Sequence, residues 1–371
     1  MIKNTKRTDS IELSTIRKLF EVTNPNAINL GIGEPDFDVP ENIRDAMKKG
    51  FDDGFTHYSS NKGFDNLREA IVLKLKEENN IETDIDDVIV TCGASEALFD
   101  CCQALFEKGD EVLIPNPGFL SYEAGIKLAE ASPVGVETPM ENGFKLTADD
   151  VQEKITSKTK GLIINSPSNP TGAVMEKEDI KAIAELATDH NFMIISDEIY
   201  EKIIYDNKKH YSPAEFGENV ITLNGFSKTY AMTGLRLAYM VSPKFITEDL
   251  LKVHQYATAC ASSISQIGGL EALTGPQDSV NKMVAEFKRR RDLICDSLND
   301  MGYECIKGEG AFYVFPKVNN PGVFVQKAMD AGVICVPGLA FGSVGRDFVR
   351  MSYANSYENI EKAMDILKNM E

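Results

Sequence analysis

Residues 219–241, NVITLNGFSKTYAMTGLRLAYMV, decide the fold. An apolar, β-branched run, VITLNGF, is followed at once by Ser227, Lys228 and Thr229. Arg236 lies eight residues beyond the lysine, behind Gly234, and a second apolar run, RLAYMVS, begins there. Lysines usually belong on wet surfaces, whereas Lys228 falls at the end of what reads as a buried strand. A desolvated lysine near a second cation has a lowered pKa and becomes a nucleophile towards carbonyls. The alternative is a structural ion pair, for instance with Asp197.

The same pattern recurs on either side. DVIVTCG, DEVLIPN, GLIINSP and FMIISDE read as further strands, and SEALFDCCQALFEKG, YEAGIKLAEA and EKEDIKAIAELATDHN as the helices between them. Strand and helix in alternation predict a largely parallel sheet with helices on both faces. Strands so covered read as nearly continuous hydrophobic runs, as these do. DSVNKMVAEFKRRRDLICDSLNDMG, residues 278–302, predicts one long charged helix, with RRR on a solvated face. The chain after it alternates strands and helices on a smaller scale, as a second, α+β domain would. The division expected is an arm over 1–40 that packs on the small domain, a large domain over 41–276, and a linking helix with the small domain over 277–371.

Ligands of open parallel sheets sit outside the carboxyl ends of the strands. Four such ends carry polar clusters. Gly93-Ala94-Ser95 follows DVIVTC and opens a helix, which suits an anion, although Ser95 could simply be an N-cap. Asn169 lies in the rigid SPSNPTG loop and, from the loop alone, reads as a turn residue rather than a held hydrogen-bonding group. Asp197 and Tyr200 follow FMIIS, where a carboxylate needs a partner or caps a helix. Ser227, Lys228 and Arg236 complete the set. Each cluster alone is ordinary, but one cofactor uses them all. Pyridoxal 5′-phosphate needs a lysine for its aldehyde, an acid to keep its ring nitrogen protonated and an anion site for its phosphate.

Composition restricts the partners. The 371 residues are 43% apolar and carry a formal charge of −18, which argues against nucleic acid and anionic membranes. No apolar run reaches the roughly 18 residues of a membrane span. The opening MIKNTKRTDSIELS has no apolar h-region, so no secretory signal and a cytoplasmic location are expected. Seven cysteines without a CxxC pair read as reduced thiols, and four scattered histidines predict no metal site.

With these residues in view, the sequence resembles the class I pyridoxal-phosphate aminotransferases of fold type I, in the aspartate and aromatic aminotransferase branch of bacteria and archaea. NLGIGEPDFDVP, HYSSNKGFDNLREAI, NSPSNPTG, SDEIY, FSKTYAMTGLRLAY, VPGLAFG and VRMSYA occur in family order over nearly the whole chain. The resemblance implies a large αβα domain with a mostly parallel seven-stranded sheet, beside a smaller α+β domain. It implies an amino group passed to the cofactor and then to a second oxo acid, 2-oxoglutarate, with aspartate as the first expected donor and aromatic amino acids as the alternative. A lyase or decarboxylase of the same fold ranks below both.

Position by position, the resemblance makes Lys228 the Schiff-base lysine and proton shuttle, and Asp197 the partner of the pyridinium nitrogen. Tyr200 and Asn169 would bond the phenolic oxygen. Ser227, Arg236 and Gly93 to Ser95 would hold the phosphate, with Tyr58 of a neighbouring copy, so that a homodimer with shared sites is implied. Phe119 would stack on the ring, where relatives often carry Trp or Tyr. Arg350 would take the substrate α-carboxylate, Asn169 and Phe119 would help bind the substrate, and Gly33 would let it approach. Some aspartate-specific relatives have a lysine where Ser95 stands, gripping the distal carboxylate. Arg17 or Lys18 could supply that charge instead.

Overall fold

The computed structural model describes residues 4–13 and 27–370. After a short helix, Lys6–Asp9, the first strand is β1 (Ile28–Asn29). The large sheet follows, with β2 (Val88–Thr91), β3 (Glu111–Asn116), β4 (Ser132–Glu137), β5 (Thr159–Asn165), β6 (Met193–Asp197), β7 (Val220–Gly225) and β8 (Ala238–Val241). Its order is β2-β8-β7-β6-β5-β3-β4. The pairs from β4 across to β7 are parallel, while β8 runs antiparallel to both β2 and β7.

Successive residues of the central strands enter opposite cores. Ile163, Ile195 and Ile221 pack with Ala97, Cys101 and Ile126 on one face. Leu162, Ile164, Ile194 and Val220 pack with Ile180, Ile183 and Ala187 on the other. Burying both faces is what the unbroken apolar runs require. The edge strand β4, SPVGVE, was not expected. It carries Pro133 and Gly135 and exposes Ser132, Gly135 and Glu137, features that an edge tolerates and that hide a strand in sequence.

A smaller assembly is built from β9 (Tyr313–Val314), β10 (Val333–Ile334), β11 (Val336–Pro337) and β12 (Val349–Ser352). The order β11-β12-β9 is antiparallel, and β1 pairs with β10 in parallel, Ile28 against Val333. The helix Asp278–Asp300 buries Val280 against the core beneath β2 and β8, and Met283, Phe287 and Ile294 against the core of the smaller assembly.

The expected solvated face of that helix needs correction. Arg290 and Arg291 are buried. Arg290 donates to Asp36 at 2.6 Å, and Arg291 to Gly308 O at 3.0 Å, with an ion pair to Asp206 at 2.7 Å. Their partners are distant in sequence, so the RRR run alone concealed them. Among the described residues no helix is long and apolar enough to cross a membrane.

Candidate active site

The carboxyl ends of β5, β6 and β7 open on a cavity of about 210 Å³. Lys228 stands three residues past β7, and its Nζ donates to Gly33 O at 2.6 Å. Burial, reinforced by the guanidinium groups of Arg236 and Arg350, pulls the ammonium pKa down to about 8, against the opposing pull of Glu34 and Asp197. Among the described residues Lys228 feels the Asp197 charge but forms no ion pair with it.

Asp197 ends β6. Its Oδ2 accepts the Tyr122 hydroxyl hydrogen at 2.7 Å, and its Oδ1 accepts from the Ile199 backbone N–H at 3.3 Å. Burial pushes the carboxyl pKa up, and these two donors oppose the shift. Asn165, its register partner at the end of β5, donates to Asp197 O at 2.9 Å and accepts from Asn169 N at 2.7 Å. Asn169 is therefore held in place, beyond what a turn alone would require. Its Oδ1 accepts from Arg350 Nη1 at 3.0 Å.

Arg350, on β12, is buried. Its Nη2 donates to Gly31 O at 2.5 Å, and its guanidinium lies 4.6 Å from the Tyr313 ring centre and 4.8 Å from that of Phe341. Its Nε is buried without a partner among the described residues. A buried donor left unmade is costly and marks a place for an acceptor. The Tyr200 and Tyr313 hydroxyls meet at 2.8 Å. A Cβ on Gly33 would fall 2.1 Å from the Tyr313 hydroxyl, so glycine is required there.

The helix Ala94–Leu105 is capped by Gly93 at φ +89°, with no side-chain cap. Ser95 is thus not the N-cap. It is exposed in the first turn and lines the cavity beside Ala94. A Cβ on Gly93 would fall 2.3 Å from Arg236 Nη2, which places the guanidinium over the helix start. Arg236 Nη1 also donates to Thr233 O at 3.0 Å. Ser227 and Phe119 line the same cavity, Phe119 edge-on to Tyr122 with ring centres 5.7 Å apart.

Tyr58 lies apart, 89% exposed and outside the cavity lining of its own chain. Arg17 and Lys18 lie outside the described residues. Sequence reasoning missed Tyr122, Asn165, Thr233 and Tyr313, all in the lining. Asn165 could have been found, because it is the last residue of GLIIN at a strand end. A larger cavity, about 620 Å³, lies at the opposite end of the sheet near Asp87, Val220 and Lys244.

The model of the aminotransferase class I and II family matches residues 25–367. A probable aspartate aminotransferase of Methanocaldococcus jannaschii is 49% identical over 373 residues, covering 98% of each chain. Aromatic-amino-acid aminotransferase 2 of Thermococcus litoralis is 41% identical over 377 residues, covering 98% of this chain and 97% of that one. The structure of aspartate aminotransferase from Thermus thermophilus with maleate superposes with a TM-score of 0.95 at 35% identity, over 100% of both chains.

Proposed function

The chain belongs to the class I and II aminotransferases, and from that premise we propose that it takes the amino group of L-aspartate to 2-oxoglutarate at the cavity around Lys228. It is a pyridoxal 5′-phosphate-dependent transaminase of fold type I. The cofactor, when bound, supplies an aldehyde for the amine and an electron sink for charge at the substrate α-carbon.

The residues present fit that group. A bare glycine turn under a guanidinium suits a phosphate, and Ser227 and the start of the helix Ala94–Leu105 stand beside it. Asp197 offers a half-buried carboxylate for a ring N–H, with Tyr122 steadying it. Tyr200 and Asn169 stand ready for the phenolic oxygen, and Phe119 for the ring face. Lys228 Nζ gives and takes the proton, and a pKa of about 8 brings its free amine within reach of neutral pH. Arg350, with its unpaired Nε, binds the α-carboxylate, and bare Gly33 leaves room for it.

The observation that carries this reading is the convergence of a half-buried amine, a carboxylate and a buried guanidinium on one cavity. Aspartate is favoured over the aromatic alternative because relatives at 49% and 44% identity are named for it. Maleate in the Thermus structure is also a four-carbon dicarboxylate. The active unit we propose is a homodimer, in which exposed Tyr58 completes the partner's phosphate site. The test is a panel of amino donors against 2-oxoglutarate. Glutamate formed fastest from aspartate supports the assignment, and a higher kcat/KM for phenylalanine or tyrosine replaces it with the aromatic one.

A further inference from the structure

His254 lies outside the cavity, and no step above uses it. It is fully buried near the end of the helix Lys244–Ala257. Its Nε2 faces the carbonyl oxygen of Asn61 at 2.8 Å, and its Nδ1 faces Glu96 Oε1 at 2.8 Å. A carbonyl only accepts, so Nε2 carries a hydrogen. Glu96 is an ionised acceptor, because Thr258 Oγ1 donates to it at 2.6 Å and the backbone N–H of Cys92 also donates to it. Nδ1 must then donate as well, and an imidazole that donates from both nitrogens is the cation. The neighbouring carboxylates bring its pKa up to about 9, in spite of burial. Asp100, one turn beyond Glu96, holds Oδ2 at 3.7 Å from Nδ1, and neither of its oxygens has a hydrogen-bond partner among the described residues.

Glu96, Asp100 and His254 could be taken for a cation site. Two ligands of a tetrahedral ion bonded at about 2.0 Å stand about 3.3 Å apart. The 2.8 Å between Nδ1 and Oε1 is a hydrogen bond and leaves no place for an ion.

What this cluster touches is the cofactor cradle. Glu96 sits in the first turn of the helix Ala94–Leu105 and bonds the N–H of Cys92, the residue before Gly93. Asn61, on the other side of the imidazole, belongs to the segment that carries Tyr58, and its side chain donates to Ala259 O at 2.7 Å.

We propose that the His254 imidazolium is a positioning residue: through Glu96 it fixes the Gly93 turn against Arg236, and through Asn61 it ties that turn to the segment bearing Tyr58, so that it sets the affinity for the cofactor's phosphate. This rests on the phosphate-site assignment above. An ordinary core histidine would support stability and leave the discrimination between phosphorylated and unphosphorylated cofactor untouched.

The test titrates the full-length chain with pyridoxal 5′-phosphate and with pyridoxal, which has the same ring and aldehyde and no phosphate. The readout is the ratio of the two dissociation constants. His254→Gln keeps a donor and loses the charge, and it should shrink the preference for the phosphorylated form about tenfold to a hundredfold, as loss of a charge-assisted hydrogen bond does. In the wild type the preference should fall as pH rises through about 9, where His254 titrates against Glu96 and Asp100. Lys228 titrates with both ligands and cancels. If His254→Gln does not fold, Thr258→Val, at an exposed position on the same carboxylate, should weaken the preference by several-fold. A folded variant whose preference stays within about twofold of wild type, or a wild-type preference that is flat through that pH range, overturns the proposal. A wild type that binds pyridoxal as tightly as its phosphate overturns the phosphate-site assignment itself.

Discussion

Tyr122 donates its hydroxyl hydrogen to Asp197 Oδ2 at 2.7 Å across 75 residues of sequence, and burial holds the phenol in its protonated, donating form. The bond opposes the desolvation that pushes the Asp197 carboxyl up. Tyr122→Phe should therefore leave Asp197 more easily protonated. Losing a bond to a charged group costs about 1.5–3 kcal/mol, or roughly tenfold to a hundredfold in kcat/KM. The sign is set by the carboxylate: the acid limb of the pH profile should move to higher pH, and the loss should shrink in alkali. Asp197→Ala should cost far more turnover than cofactor affinity, because the acid acts mainly as charge develops. An Asp197→Ala enzyme with near-normal kcat removes that role from Asp197.

Lys228 is held at Gly33 O, and its pKa of about 8 divides two regimes. Below it Nζ is an ammonium and cannot attack a carbonyl. Above it the free amine can. Capture of cofactor by the apoprotein should accelerate as pH rises through about 8. Lys228→Ala should fold and give no cofactor covalently attached after borohydride. Attachment that survives in Lys228→Ala would identify a different lysine as the anchor.

Gly93 has φ +89° and lies under Arg236, so Gly93→Ala meets two obstacles: a backbone that L residues avoid and a Cβ 2.3 Å from Nη2. Gly109, at φ +109°, has nothing within 4 Å of a built Cβ. Gly109→Ala should pay only the backbone strain, about 1–2 kcal/mol of stability. Gly93→Ala should in addition weaken pyridoxal 5′-phosphate binding at least about tenfold. Equal cofactor affinity in the two variants, by equilibrium dialysis, would show that the Gly93 turn does not carry the phosphate.

The residues that could be read from sequence are those whose position alone made them odd. Lys228, Asp197 and Gly93 follow apolar runs directly, and a charged or conformationally free residue there needs a reason. Tyr122 and Tyr313 could not be read in this way. A tyrosine in YEAGIK or GAFYVF looks like core until its partner is known, and the partner of Tyr313 is Tyr200, 113 residues away. Arg290 and Arg291 failed in the opposite sense. A basic run looks solvated, and only the fold brings Asp36, Asp206 and Gly308 O to it. Strand β4 was hidden because one-sided burial at an edge leaves no continuous apolar run. Tyr58, Phe119 and Arg350 came from the family resemblance alone, since nothing local distinguishes them.

The proposed dimer places Tyr58, which is exposed on its own chain, in the neighbour's phosphate site. Lys228→Ala and a Tyr58→Ala variant should each be weakly active or inactive. Mixed under conditions of subunit exchange, they should recover up to about a quarter of wild-type activity, because half of the molecules are hybrids and one site of each hybrid is intact. Sedimentation of the active enzyme should give a dimer. An active species that sediments as a monomer would exclude shared sites, whatever the mixing experiment showed.

Aspartate asks one thing more of the site than phenylalanine does. Its distal carboxylate is costly to bury without a cation, and Ser95 at the cavity edge supplies none. Arg236 and Arg350 are already engaged in the proposed reading, by the phosphate and the α-carboxylate. A third cation is needed, and Arg17 and Lys18 in STIRKLF precede the NLGIGEP segment that holds Gly33. Neutralising the right one should weaken aspartate and leave phenylalanine nearly unchanged, since only the dicarboxylate needs the second positive partner. The expected drop in the aspartate-to-phenylalanine ratio of kcat/KM is about tenfold or more, the usual worth of a charge-assisted hydrogen bond. The effect should appear with glutamate and 2-oxoglutarate too, which share the distal carboxylate. If Arg17→Ala and Lys18→Ala both leave the ratio at its wild-type value, neither residue reads the side chain.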